Sequence, residues 1–183
     1  MNINFNNVNF GAKYINSTSI KKYDSTKDDY FPMQVSFVEI EPSNKADKKA
    51  LHELLKDWND SDFVFPIVDS VDYKSEDTNK VYALTRQCKD FNNLRSVEIM
   101  GLANMNITKG TTPELLFLQV DPVLSYKKGQ SIYKNIGTEI INSLKQIYAK
   151  AIQVVSLYSA TEFYEKNGFE IIDTKKLKYI WRV

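Results

Sequence analysis

Three residues of this 183-residue chain stand out as candidates to move a proton in a reaction. Tyr164 lies in "SATEFYEKNGFEII" (159–172), Glu114 heads "ELLFLQVDP" (114–122), and Glu98 lies in "SVEIMGLANMNI" (96–107). A phenol is a general acid and a carboxylate a general base when each is positioned against a substrate. Each also has a plain structural role: Tyr164 as a packed core aromatic, Glu114 as a solvated carboxylate opening a strand after Pro113. The other reactive types offer less. Cys88 is the single cysteine, so an internal disulfide is excluded, and without a histidine placed to activate it, it reads as a small buried hydrophobe. The one histidine, His52, falls on the polar side of an amphipathic run and reads as solvated. No Cys/His group has metal-ligand spacing, so no metal site is expected.

The elements that must position these residues follow from periodicity. "MQVSFVEIEP" (33–42) alternates and stops at Pro42, a strand. Ser43 or Asn44 can cap a helix whose apolar positions Ala50, Leu51, Leu54, Leu55 and Trp58 recur at three and four residues. From Asp57 to Asp77, seven carboxylates face one lysine, which reads as a solvated loop with a helical turn. "VYALTRQCKDF" (81–91) and "SVEIMGLANMNI" form a strand meander turning at Asn92-Asn93. "ELLFLQVDP" is too continuously apolar for a one-sided strand and reads as central in a sheet. A polar loop then leads to a helix carrying Ile136, Ile140, Ile141, Leu144 and Ile147. Strand, short helix and strand complete the chain through "LKYIWRV". Ahead of all this, residues 1–33 alternate weakly and read as an N-terminal extension, an extra β-hairpin, with "SIKKYDSTKDDYFP" (19–32) as a polar connector.

Length and composition suit one domain burying roughly 70% of its unfolded surface. Hydrophobic residues make up 43% and charged ones 26%. A net charge of +1 and a pI near 7.7 provide no global field for nucleic acid or anionic lipid. No apolar run approaches a membrane span, and no leader pattern opens the chain, so a cytoplasmic protein with no membrane partner is expected.

Taken together, "ELLFLQVDP", "NIGTEIINSLK" (135–145) and "SATEFYEKNGFEI" resemble the GCN5-related N-acetyltransferase (GNAT) superfamily over residues 34–183. The resemblance implies an α+β (α/β) fold, a mixed, mostly antiparallel sheet of about seven strands flanked by helices. It implies an acetyl-CoA-dependent N-acetyltransferase in which a primary amine attacks the thioester directly. Glu114, Leu115, Leu118, Val120 and Pro122 fall on the family's central-strand pattern, where a bulge frees backbone groups for the pantetheine arm, so Leu118, Gln119 and Val120 would be backbone partners. Gly137 and Thr138 would open a helix whose free amides meet the CoA diphosphate. Lys134, Asn135, Ile136 and Ser159 complete the implied cofactor contacts. In this register Ile132 takes the family's basic place and Asn135 its first glycine; a second register uses Tyr126 to Gln130 as the loop.

Ala160, Phe163, Tyr164, Gly168 and Phe169 match the family signature of alanine, aromatic pair and Gly-Phe stop, which makes Tyr164 the implied acid. A phenol near pKa 10 protonates a thiolate near 8.5 at a cost of ~2 kcal/mol. Deprotonating an ammonium near 10.4 with a carboxylate near 4.3 costs ~8 kcal/mol, so Glu114, or Glu98, would act through water. The acidic stretch 57–77 falls where the family builds its acceptor wall and favours a cationic small molecule or a protein lysine. A catalytically inactive binding or assembly protein of the same fold is the alternative, and residues 1–33 could equally pair with a second copy of the chain.

Overall fold

The strand-forming runs pair into a single sheet in the computed structural model, which describes residues 11–58, 63–72, 78–125 and 131–183. In chain order the elements are β1 (Lys13–Asp24), β2 (Asp29–Glu39), α1 (Lys45–Asp57), α2 (Val64–Asp72), β3 (Asn79–Thr85), β4 (Ile99–Asn106), β5 (Glu114–Val120), α3 (Pro122–Ser125) and β6 (Tyr133–Lys134). Then come α4 (Ile136–Ile147), β7 (Ala151–Val155), α5 (Thr161–Lys166), β8 (Glu170–Asp173) and β9 (Lys178–Arg182). The sheet order is β6-β1-β2-β3-β4-β5-β7-β9-β8. Every neighbouring pair is antiparallel except β5 and β7. The mixed α+β plan stands as expected, with β1 and β6 widening the anticipated sheet of about seven strands to nine.

Each sheet face carries its own core because strand side chains alternate. On one face Ile20, Met100, Leu115 and Val154 pack against Ile140, Ile141 and Leu144 of α4 and against Tyr164 and Phe169. On the other, Val38, Ala83 and Leu102 pack against Leu51, Leu54 and Trp58 of α1 and Ile67 and Val71 of α2. Fully burying one such side chain contributes about 1.5–3 kcal/mol. Asn44 caps α1, its side chain accepting from the amides of Ala46 (2.8 Å) and Asp47 (3.0 Å).

Four local readings change. Residues 19–32 are no connector: β1 and β2 form one long hairpin, paired from Lys13↔Glu39 to Asp24↔Asp29. Polar side chains are tolerated there because much of the ribbon is exposed, and Pro32 sits where β2 has run beyond its pairing with β3 and needs no amide on that side. The acidic stretch contains the nine-residue helix α2, whose Val64, Ile67, Val68 and Val71 are buried. Charge count hid this helical spacing; residues 59–62 and 73–77 lie outside the described residues. The meander is no tight turn, since residues 86–98 form a loop with two one-turn 3-10 helices at Phe91–Asn93 and Ser96–Glu98. Cys88, expected to be buried, is exposed on that loop.

Candidate active site

The central feature is a parallel strand pair that separates. β5 and β7 pair only at Glu114↔Gln153 and Leu115↔Val154, with one further bond from the Gln153 amide to the Pro113 carbonyl (2.9 Å). The next residue, Leu116, is a bulge: Met105 of β4 faces Leu115 and Asn104 faces Phe117, leaving Leu116 without a partner. A bulge bends its strand and increases the local twist, which carries the rest of β5 away from β7. From Phe117 to Val120 the edge of β5 turned toward β7 therefore has no strand beside it among the described residues. Leu118, Gln119 and Val120 all lie on this stretch. The Val120 carbonyl accepts from the Gln119 side-chain amide (2.6 Å), so that acceptor is already engaged.

At the open end of the notch stands the start of α4. The Ile136, Gly137 and Thr138 amides bond to no other described residue, and the N-cap Asn135 makes no side-chain capping bond. Three donors at the positive end of a twelve-residue helix make an anion-binding geometry. Asn135 takes φ 70°, ψ 12°, the left-handed conformation that glycine adopts freely and that asparagine tolerates better than most residues. Asn135, which the resemblance sets at the family's first glycine, can hold that left-handed backbone shape.

Glycine at 137 has a local reason besides ligand approach. A Cβ there would lie 3.1 Å from Cζ of Phe163 and 3.7 Å from Cγ2 of Val120, so the Phe163 ring packs directly on the helix start and beside the end of β5. In the sequence Phe163 stood only as one of the aromatic pair; its place beside the notch emerges from the fold. Lys134, expected to approach the diphosphate, holds its ammonium 3.7 Å from the Tyr30 ring centroid. Ser159 sits exposed in a one-turn 3-10 helix, Tyr158–Ala160, beyond the end of β7. Tyr126 to Gln130, the second loop register, lie outside the described residues.

The stretch containing Tyr164 folds as its residues dictate. Gly168 takes φ 75°, its amide bonds to the Glu165 carbonyl (2.9 Å), and the Phe169 amide bonds to the Tyr164 carbonyl (3.0 Å). This is a Schellman stop, completed by a 5.6 Å edge-to-face contact between the Tyr164 and Phe169 rings. Tyr164 is 7% exposed, enclosed by Phe163, Phe169 and Tyr179. Burial pushes its phenol up to about 12. Its hydroxyl makes no hydrogen bond to another described residue.

The two candidate bases differ sharply. Glu98 lies on the 3-10 turn ahead of β4, not on the strand, and its carboxylate is held by Arg86 (3.1 Å) and Arg95 (3.4 Å). Glu114 is half-buried at the paired end of the notch and engages no other described side chain. His52 bridges to Asp72 (3.0 Å), tying α1 to α2. Among the described residues no group of His, Cys, Asp and Glu could hold a metal ion, and no helix is long and apolar enough to cross a membrane.

No protein-family model and no curated protein matches the sequence. The structure is similar to that of Tetrahymena GCN5, with a TM-score of 0.51 and 14% identity, covering 76% of this chain and 89% of that one. It is similar also to an acetyltransferase of the GNAT family from Staphylococcus aureus MU50, with a TM-score of 0.50 and 16% identity, covering 81% and 98% of the two chains. An aminoglycoside 6'-N-acetyltransferase complexed with coenzyme A aligns at a TM-score of 0.49 and 19% identity, covering 79% and 93%. Identities this low establish a shared fold.

Proposed function

We propose that this chain, whose fold is that of the GCN5-related N-acetyltransferases, transfers an acetyl group from acetyl-CoA to a primary amine. The observation that carries the reading is the parting of β5 from β7 after two paired positions, beside a helix start with three amides that bond to no other described residue. A thioester-bearing arm can lie against the open edge of β5 as an added strand would, at Leu118 and Gln119. Its diphosphate can meet the Ile136, Gly137 and Thr138 amides, with Asn135 shaping the approach. The acyl donor supplies an activated carbonyl; the chain supplies alignment, exclusion of water and proton management.

Tyr164 would donate from its hydroxyl to the leaving sulfur. A phenol pushed up to about 12 is protonated at neutral pH, and its hydroxyl bonds to no other described residue. Burial has a cost here: proton transfer to a thiolate near 8.5 rises from ~2 to ~5 kcal/mol, so the hydroxyl acts first as a hydrogen-bond donor to the developing charge. Glu114 is the better base because it engages no other described side chain, whereas the Glu98 carboxylate is held by two guanidinium groups. At half burial it would take the ammonium proton through an intervening water. A cationic acceptor, small amine or protein lysine, suits the acidic residues around α2.

The alternative, a silent binding protein of the same fold, draws on the Phe163 ring packed against Gly137 beside Val120 and on Ile132 at the family's basic place. Calorimetric titration with acetyl-CoA separates the two. Binding with release of free CoA upon addition of an amine panel is expected; absence of heat and of any thermal shift at millimolar acetyl-CoA overturns the enzymatic reading.

A further inference from the structure

The β1-β2 hairpin reaches past β3 and returns to the site. Its outer edge pairs with β6 at Lys21↔Lys134 and Lys22↔Tyr133, and the Tyr23 amide bonds to the Ile132 carbonyl (2.8 Å). β6 ends one residue before Asn135, the N-cap of α4, so this edge lies against the proposed diphosphate-binding turn. Paired residues share a sheet face, which sets Phe31, Lys22 and Tyr133 in one row across β2, β1 and β6. That row lies on the α4 face. Two residues along β1, Ile20 is fully buried in the α4-side core, and before it Thr18 bonds to Glu139 and Asn16 to Gln146 (2.8 Å), both on α4. From Tyr133 to Phe31 is two strand spacings, roughly 10 Å.

Beside this row the hairpin forms a cavity of about 540 Å³ lined by Lys22, Phe31, Met33 and Asp24, among others. Phe31 is 37% exposed, and the Lys27 ammonium stands 4.4 Å from its ring centroid. Asp24 is the acidic group of the lining; its Oδ1 accepts from the Thr26 amide (2.9 Å) and hydroxyl (2.7 Å), which commits that oxygen to the hairpin turn. Near the tip, Asp28 accepts from the Tyr23 hydroxyl and Asp29 from the Tyr30 amide (2.7 Å). An exposed ring with the Lys27 ammonium over it and Lys22 at the paired position of the next strand, next to carboxylates already hydrogen-bonded within the turn, suits a flat heteroaromatic base carrying a phosphate.

We propose that this cavity holds the 3'-phosphoadenosine end of CoA, with Phe31 under the adenine and Lys22 against the ribose 3'-phosphate. The inference rests on the acyl-CoA reading above. It explains how binding survives with Ile132 in the family's basic place: the positive charge comes from the N-terminal strand instead of the loop. Residues 13–33 thereby become part of the cofactor site, a use that a strand merely extending the sheet would not have.

The test compares CoA, dephospho-CoA and the acetylated pantetheine arm by calorimetry on the full chain and on the K22Q, F31A and K21Q variants, with circular dichroism and melting to confirm folding. Lys21 sits next to Lys22 but points to the opposite face, so K21Q controls for net charge. The wild-type chain is expected to prefer CoA over dephospho-CoA by about tenfold, a preference that K22Q removes and K21Q keeps. F31A should weaken CoA and dephospho-CoA alike and leave the pantetheine arm unchanged. Equal wild-type affinity for CoA and dephospho-CoA, or equal effects of K21Q and K22Q, overturns the assignment while leaving the acyltransferase reading intact. Failure of the wild-type chain to bind any of the three removes both.

Discussion

Replacing Tyr164 with phenylalanine separates catalysis from packing unusually well in this fold. The substitution keeps the ring and its contacts with Phe163, Phe169 and Tyr179 and deletes one oxygen. That hydroxyl has no hydrogen-bond partner among the described residues, so its loss strands no donor or acceptor in the protein. Folding stability should stay within about 1 kcal/mol of wild type. Turnover should fall by at least tenfold and, if the hydroxyl does all the acid work, by about 10²–10⁴, equivalent to ~3–5 kcal/mol of transition-state stabilisation. Thiol release from acetyl-CoA in the presence of an amine, followed alongside a thermal melt, measures both. The pH profile adds a third readout. With the phenol pushed up to about 12, the wild-type acid stays protonated, and no alkaline loss of activity below about pH 11 should originate from Tyr164. Its contribution to stability has the same sign: the folded value lies above the unfolded value near 10, so that contribution is complete below pH 10 and is lost as the pH rises toward 12. Undiminished turnover in the phenylalanine variant would refute the acid role, and a variant that melts far below wild type would show that the hydroxyl has a structural partner.

Three other outcomes are expected. Glu114→Gln should reduce turnover at least tenfold with little change in melting temperature, whereas Glu98→Gln should lower stability by breaking contacts with Arg86 and Arg95 and spare turnover; the reverse pattern in paired kinetic and melting assays would exchange their roles. Gly168→Ala should destabilise by about 1 kcal/mol through its φ of 75° alone, since the nearest atom to the added Cβ is the Lys145 ammonium at 3.8 Å, and denaturant titration measures it. Asp47 is fully buried, its Oδ2 accepting from the Glu41 amide (2.9 Å), and burial pushes its carboxyl up to about 6. Because the folded value exceeds the unfolded one, the stability it contributes is complete below about pH 4 and is lost as the pH rises through 6, a span of about 3 kcal/mol. Asp47→Asn should flatten that part of a stability-versus-pH curve.

Much of the site was legible because its parts are local. The Schellman stop needs only a glycine four residues after Tyr164 and an aromatic behind it, and the α4 start needs only a polar break before Ile136, Ile140 and Leu144. A bulge in this strand was anticipated by family likeness, but its position at Leu116 was not, since no feature of "ELLFLQV" in isolation marks one residue as surplus. Less was legible where charge masked periodicity, as in α2, or where exposure depended on the path of a loop, as at Cys88.

The residue order by itself settled α1, α4 and α5, the central strand and the identity of the groups able to move protons, because capping, periodicity and side-chain chemistry act over a few neighbouring residues. Which of those groups remains available was decided only in three dimensions. Arg86 closes on Glu98 from another strand's end, the Phe163 ring reaches Gly137 across the notch, and a strand more than a hundred residues upstream lands beside the start of α4. Burial, ion pairing and strand neighbours are properties of distant segments brought together, and neither composition nor spacing contains them.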